Sequence, residues 1–391
     1  MNNNTENWEE VRFGSLAPED ATSSIVLLAD GKYYSVESLA SKMDFSRVCR
    51  YERDGKLDHT FGKGGAVELP WPAAYPYKWS VSLQGESLMV SCLAGTNEWG
   101  MLYFALYKLD AKTGARDEVF GTKLVEFPDG LKLDVLSKDA RISLDQAPQL
   151  PDGKHRQSIS YGMAQFELSG KLDQSFAGTG MIRGFPKTLY DYRTQHIAPY
   201  TVAGEFAGFL MCGSFMLGGF SRGWVGAIDN QGKVLQAFGT DGETNFMRLP
   251  ENELTHLVVR SLAQVGDHIY VVGFGVGLPK TSFMYRLTND GKIDGAYNNG
   301  DPVFLESGKT SAFHLAADGD GMLIGVSGVA SAGAVYRVDA SGKLDTAFGG
   351  RGWLNMPTKY TDPAAIKVTE HAGSRFLEVW GHGYLLRHPL L

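Results

Sequence analysis

One short motif recurs six times along the chain: ERDGKLDHTFG, DAKTGARDEVFG, ELSGKLDQSFA, DNQGKVLQAFG, TNDGKIDGAYN and DASGKLDTAFG. Its anchoring glycines are Gly55, Gly114, Gly170, Gly232, Gly291 and Gly342, spaced 59, 56, 62, 59 and 51 residues apart. An aromatic residue stands six positions after each glycine: Phe61, Phe120, Phe176, Phe238, Tyr297 and Phe348. Aspartate stands three positions after five of them (Asp58, Asp117, Asp173, Asp294, Asp345), and the exception is Leu235. A fixed period of this length marks an array of like supersecondary units, each needing its neighbour to bury a core.

Each unit reads as four short strands. A hairpin signal lies between two β-rich runs, as in SIVLLADGKYYSVES, VSLQGESLMVSC and FHLAADGDGMLIGVSG. A strand-like run such as YFALYKLD or AVYRVD precedes the motif, and a short run such as KLVEFP or GWLNMP follows it. No segment sustains the 3.6-residue spacing of an amphipathic helix, and 48 glycines suit many tight turns. Four-stranded antiparallel sheets repeated radially make a β-propeller. Six motif-bearing blades are expected at about 22–69, 78–128, 138–186, 195–250, 256–305 and 311–357. The tail 364–388 supplies three more strands without a motif, and NWEEVRFG near the start resembles a lone fourth strand. Residues 8–14 are therefore expected to complete a seventh blade with 364–388, so that both chain ends close the fold and no sheet edge stays open. The expectation is one all-β domain over 1–391, a seven-bladed β-propeller, with six blades as the fallback.

These copies resemble the delta-60 repeat, a bacterial β-propeller repeat family of similar unit length with a dG-x-lD-x-x-FG signature. The signature falls at 54–62, 113–121, 169–177, 231–239, 290–298 and 341–349, so the resemblance spans nearly the whole chain. It implies the propeller fold and no shared catalytic motif. Leu235 and Asn298 depart from the signature within the turn itself.

The formal net charge of −7 argues against nucleic acid as a partner, because phosphate recognition needs a basic surface. No apolar run approaches the length that spans a bilayer, so membrane insertion is not expected. The first residues, MNNNTENWEEVRFG, lack the pattern of a cleaved signal peptide. A cytoplasmic location is the expectation, with export lacking a cleaved signal left open. Cys49, Cys92 and Cys212 are odd in number, widely spaced and without a CxxC pair, as expected of small buried hydrophobes.

Three sets of residues carry candidate chemistry. The loops joining successive blades are rich in aromatics: Trp71, Tyr75, Tyr77, Trp79, Tyr190, Tyr192, Arg193 and Tyr360, with Trp99 on a hairpin of the same side. Such residues suit stacking on a glycan or gripping a protein partner, and equally suit covering the seams between blades. His196, His256 and His314 recur near the repeat period, where imidazoles at the channel mouth could hold a metal or act as bases in a hydrolase or lyase. Glu52, Asp54 and Asp58 place three acids around the first motif glycine, an alternative calcium loop, although no other copy has the full set. The glycines of FGKGG lack the spacing of a phosphate-binding loop. The leading expectation is recognition of a glycan or protein without catalysis and without a cofactor.

Overall fold

The fold is described from a computed structural model over residues 8–12, 21–28, 30–38, 45–70, 75–95, 102–126, 154–159, 162–185, 192–246, 256–276, 281–305, 310–319, 321–328, 333–357, 360, 365–381 and 384–390. It is all-β, a seven-bladed β-propeller of antiparallel sheets. Among the described residues no helix is long and apolar enough to cross a membrane.

The chain divides into two compact units. One comprises Val11–Ile182 with His382–Leu385, and the other Met1–Glu10, Arg183–Gly381 and Leu386–Leu391. In the first, blade 1 is β2 to β5 (Ala21–Leu27, Tyr33–Ser38, Phe45–Tyr51, Ala66–Pro70) and blade 2 is β6 to β9 (Tyr75–Gln84, Ser87–Gly95, Leu102–Asp110, Lys123–Glu126). Blade 3 shows three strands, β10 to β12 (His155–Ile159, Gly162–Phe166, Met181–Arg183). The start of its expected range, from 138 to 153, lies outside the described residues.

The second unit holds blade 4, β13 to β16 (Arg193–Val202, Glu205–Leu217, Phe220–Asp229, Glu243–Phe246), and blade 5, β17 to β20 (His256–Val265, His268–Val276, Thr281–Thr288, Val303–Leu305). Blade 6 follows as β21 to β24 (Thr310–Asp318, Gly321–Gly328, Ala334–Val338, Trp353–Asn355). The seventh sheet has the order β1-β27-β26-β25, pairing Glu9–Arg12 with Tyr384–Leu390, Ser374–Gly381 and Ala365–His371. Strands from both ends of the chain thus share one sheet. Beside it the Trp8 indole donates to the Asn355 carbonyl at 2.8 Å and meets the His388 ring edge-on.

Blades stack face to face, so a middle strand is covered on both sides and loses the alternation of a half-buried strand. β14 is buried at eight consecutive positions, from Gly208 to Phe215. The cores lie between neighbours: Val36, Val48 and Phe61 pack with Trp79 and Val90, and Leu210 and Val225 pack with Leu257 and Val271.

In three copies the motif turn links its blade to the next as well as joining its own strands. Gly62 donates its amide to the Thr113 carbonyl of the next motif at 2.8 Å, Gly239 to Asp290 at 2.7 Å, and Asn298 to Ser341 at 3.3 Å. Residue 62 and its counterparts Ala177, Gly239, Asn298 and Gly349 all take left-handed backbone angles, with φ between 46° and 62°. Asparagine visits that region more readily than other non-glycine residues, which accounts for the Asn298 departure. The motif aromatic then slides under the next motif glycine. A Cβ on Gly170 would meet the Phe120 ring at 2.7 Å, and one on Gly291 the Phe238 ring at 2.6 Å.

Candidate binding face on blades 4 and 5

The motif turns are closed by their own charges. In copy after copy one aspartate oxygen accepts a turn amide while the other accepts a side chain from the preceding strand. Asp58 Oδ1 takes the Thr60 amide, and Oδ2 takes Arg50 Nε and Lys32 Nζ, both at 2.8 Å. Burial opposes ionisation of Asp58, but the bonds from Lys32, Thr60 and Arg50 hold its carboxyl well below the usual range. Glu52 pairs with Lys32 and Asp54 with Lys56. The three carboxylates proposed as a calcium loop therefore each face a basic side chain. Cationic nitrogens stand where an ion would have to sit, and the set does not fit calcium.

The aromatic candidates separate by burial. Trp71, Trp99 and Tyr190 lie outside the described residues; Tyr75 and Tyr77 belong to β6 by backbone, and their side chains lie outside the description. Trp79 is buried against Tyr107. Tyr192 is buried in a cluster with Phe185, Phe215 and Trp224, ring centres 5.1 to 6.0 Å away, and its hydroxyl donates to Glu243 Oε1 at 3.1 Å. Tyr360 is buried, and its carbonyl accepts the Gly333 amide. All three rings are buried, and those of Trp79 and Tyr192 pack within aromatic clusters. Arg193, next to Tyr192, is exposed at the start of β13.

The three histidines all fall on first strands, His196 on β13, His256 on β17 and His314 on β21. Two of them accept a backbone amide at Nδ1. His196 Nδ1 accepts the Leu262 amide at 3.2 Å, and His256 Nδ1 accepts the Ser221 amide at 3.0 Å. A neutral imidazole accepting at Nδ1 carries its proton on Nε2, which then donates and is a poor metal ligand or base. His314 is buried, immediately after an irregularity in β21. Among the described residues no group of three or more His, Cys, Asp or Glu could hold a metal ion.

The first strands share a feature that spacing alone did not show. β2, β6, β13, β17 and β21 each slip register early in the strand, at Ser23, Tyr77, Gln195, Arg260 and Phe313, and β13 slips again between Tyr200 and Thr201. Such β-bulges bend a strand and re-aim the extra side chain. In blades 4 and 5 the two bulged residues meet: Arg260 Nη1 donates to Gln195 Oε1 at 2.6 Å, and the guanidinium lies 5.4 Å from the Phe274 ring centre. Opposite the bulges, a Cβ on Gly213 would strike the Arg193 carbonyl and one on Gly273 the Val258 carbonyl. Paired glycines in successive second strands are the sequence signal that could have located the pair.

At the other end of β17, His256 packs against Phe220, ring centres 5.3 Å apart, and Arg222 lies over the same Phe220 ring at 5.3 Å. Phe220 and Arg222 are half-buried on the second hairpin of blade 4. Blade 5 thus touches blade 4 at two polar points on one strand. An aromatic and cationic cluster stands at His256, and an oriented guanidinium at Arg260. Such a surface offers flat apolar area beside hydrogen-bond donors.

No protein-family model matches the sequence, and no curated protein matches it. Among solved structures, a Kuenenia stuttgartiensis hydrazine synthase chain is 14% identical, with 95% of this chain and 96% of that chain covered and a TM-score of 0.51. An α-L-arabinofuranosidase of Fusarium graminearum in complex with arabinobiose is 9% identical, covering 97% and 96%, with a TM-score of 0.42. At such identities the likeness concerns the fold alone.

Proposed function

We propose that this chain is a recognition propeller of the delta-60 repeat kind, binding a glycan or a protein partner without chemistry of its own. The supporting observation is the cluster of Phe220, Arg222 and His256, where blade 4's second hairpin meets the first strand of blade 5. Aromatic and arginine side chains together supply contact area and directed donors, the combination enriched where proteins bind partners. Trp71 and Tyr190, expected from the sequence to lie on connections between blades, belong to the same proposal. The three cysteines are free and buried, and burial pushes the Cys212 thiol up, which suits inert packing residues in a reducing compartment.

The test compares wild type with Phe220→Ala/Arg222→Ala and with Trp71→Ala/Tyr190→Ala on a glycan array and by pull-down. Loss of capture at unchanged melting temperature is expected. Equal capture by wild type and both variants would overturn the reading.

A further inference from the structure

We propose that Met216 is a modification site, a thioether that peroxide converts to the sulfoxide, and, resting on the recognition reading, that this oxidation turns capture down. The other seven methionines whose side chains are described are buried, 0 to 6% exposed, whereas Met216 is 46% exposed. The strand pattern explains the contrast. Among the described pairings β14 meets β13 only as far as Ser214, opposite Arg193, and β15 meets β16 only as far as Gly223, opposite Phe246. Residues 215 to 222 therefore run past both neighbours as a two-stranded overhang, closed by Gly218 and Gly219 in the left-handed region. Met216 stands on that overhang, where its own blade pairs no further strand against it.

The same overhang carries the recognition cluster. Met216 lies directly opposite Ser221, which stands between Phe220 and Arg222 and donates its amide to His256 Nδ1 at 3.0 Å. By strand alternation Met216 shares a face with Leu210 and Cys212, which pack toward blade 5. An apolar thioether is thus held in the open beside the contact of blade 4 with blade 5. Methionine is unbranched and polarisable and suits adaptable contact surfaces, whereas its sulfoxide is polar and chiral.

The chemistry needs only a peroxide as oxidant. A sulfur lone pair attacks one peroxide oxygen, and the S–O bond forms as the O–O bond breaks. The displaced hydroxide takes the proton of the sulfur-bound hydroxyl and leaves as water. Sulfur is oxidised by two electrons and the peroxide is reduced by two. A thiol-dependent sulfoxide reductase restores the thioether, its own thiols becoming a disulfide. A partner covering the oxidised residue would have to dehydrate the sulfoxide oxygen, which opposes binding.

Dilute hydrogen peroxide followed by tryptic mapping tests the site in the intact chain. Met211 and Met216 share the tryptic peptide 194–222, so the fully buried Met211 is an internal control. Met216 is expected to oxidise at least about tenfold faster than Met211, at unchanged melting temperature. Oxidised wild type should then capture about tenfold less on the glycan array and by pull-down, with recovery after sulfoxide reductase. Met216→Leu, apolar but without an oxidisable sulfur, should lose the peroxide response, and Met216→Gln should capture as the oxidised chain does. Equal oxidation of Met216 and Met211 in the folded protein would overturn the site. Selective oxidation with undiminished capture, or a Met216→Leu chain that still loses capture in peroxide, would overturn its control of capture and leave the recognition reading standing. Selective oxidation of a chain that captures nothing in either state would uphold the modification site and overturn the recognition reading.

Discussion

Leu235 and Ala227 are joined by a backbone bond of 2.9 Å across the fourth motif turn, at the two positions where every other copy sets an aspartate against a donor. The other pairs are Asp58 with Arg50 (2.8 Å), Asp117 with Lys108 (2.9 Å), Asp173 with Gln165 (2.7 Å), Asp294 with Arg286 (2.7 Å) and Asp345 with Arg337 (3.3 Å). The fourth copy has lost both partners together. Losing one alone would leave a charge or donor unpaired in a largely buried turn, whereas replacing both by apolar groups is close to neutral. Leu235 instead packs on the core between blades 4 and 5.

Leu235→Asp should therefore destabilise by about 2 kcal/mol, the scale for a poorly paired buried polar group. Adding Ala227→Arg should recover part of that loss, with the new guanidinium over Phe238 as Arg50 lies over Phe61. Urea midpoints of the two single variants and the double variant measure the coupling. Strict additivity would show that the pair does not interact.

The blade-to-blade seat of the motif glycine is separable from its backbone angle. Gly291 and Gly204 share φ near +81°, but only at Gly291 would a Cβ meet a ring, Phe238 at 2.6 Å; nothing lies within 4 Å at Gly204. Gly204→Ala should cost about 1 kcal/mol for the left-handed conformation, and Gly291→Ala about 3 kcal/mol, with overpacking added. Equal losses in denaturant midpoint would refute the seat.

Tyr192 and Arg193 are neighbours in sequence with opposite roles. Tyr192→Ala should lower stability by about 3 to 5 kcal/mol through loss of a buried aromatic, while Arg193→Ala should change it by less than about 0.5 kcal/mol. Thermal unfolding of the two variants checks this, and a stable Tyr192→Ala chain would contradict the seam cluster.

Acid should unfold the protein in two stages. His155 is buried, with Nδ1 2.9 Å from Ser82 Oγ and Nε2 3.2 Å from Ser91 Oγ; burial, with Arg156 nearby, lowers it to about 3 from 6.5. The unfolded chain then binds the extra proton between those values, so stability falls as pH drops through that window, by at most about 1.4 kcal/mol per unit for this group. His388, also lowered by burial, adds in the same direction. From near pH 4 downward the carboxylates take over. Burial opposes ionisation of Asp58 and Asp173, but their bonds to Lys32 and Lys154, among others, hold both well below 3.8, so their stabilisation is lost on protonation. In His155→Gln the first stage should flatten while the second persists, as read from urea midpoints at successive pH values. An unchanged first stage would exclude His155 as its source.

The repeat made the strands, the motif turns and the joining of chain ends legible, because periodicity and turn chemistry are local and recur in register. The Asp–x–x–Phe signature could be read as a turn, yet its cationic partners come from earlier in the blade, Lys32 lying 26 residues before Asp58. Burial was not legible in the connections. Tyr192, Tyr360 and Arg193 share a composition, and which of them faces a seam depends on what the neighbouring blade places there. The bulges were hidden for the same reason. Register is a property of two strands, so only the pairing of β13 with β14 and of β17 with β18 turns Gln195 and Arg260 out to meet. By itself the sequence determined the architecture, since a repeated local pattern needs only its own neighbours. Tertiary structure decided which side chains remain to bind, since that depends on the surface left once blades have packed.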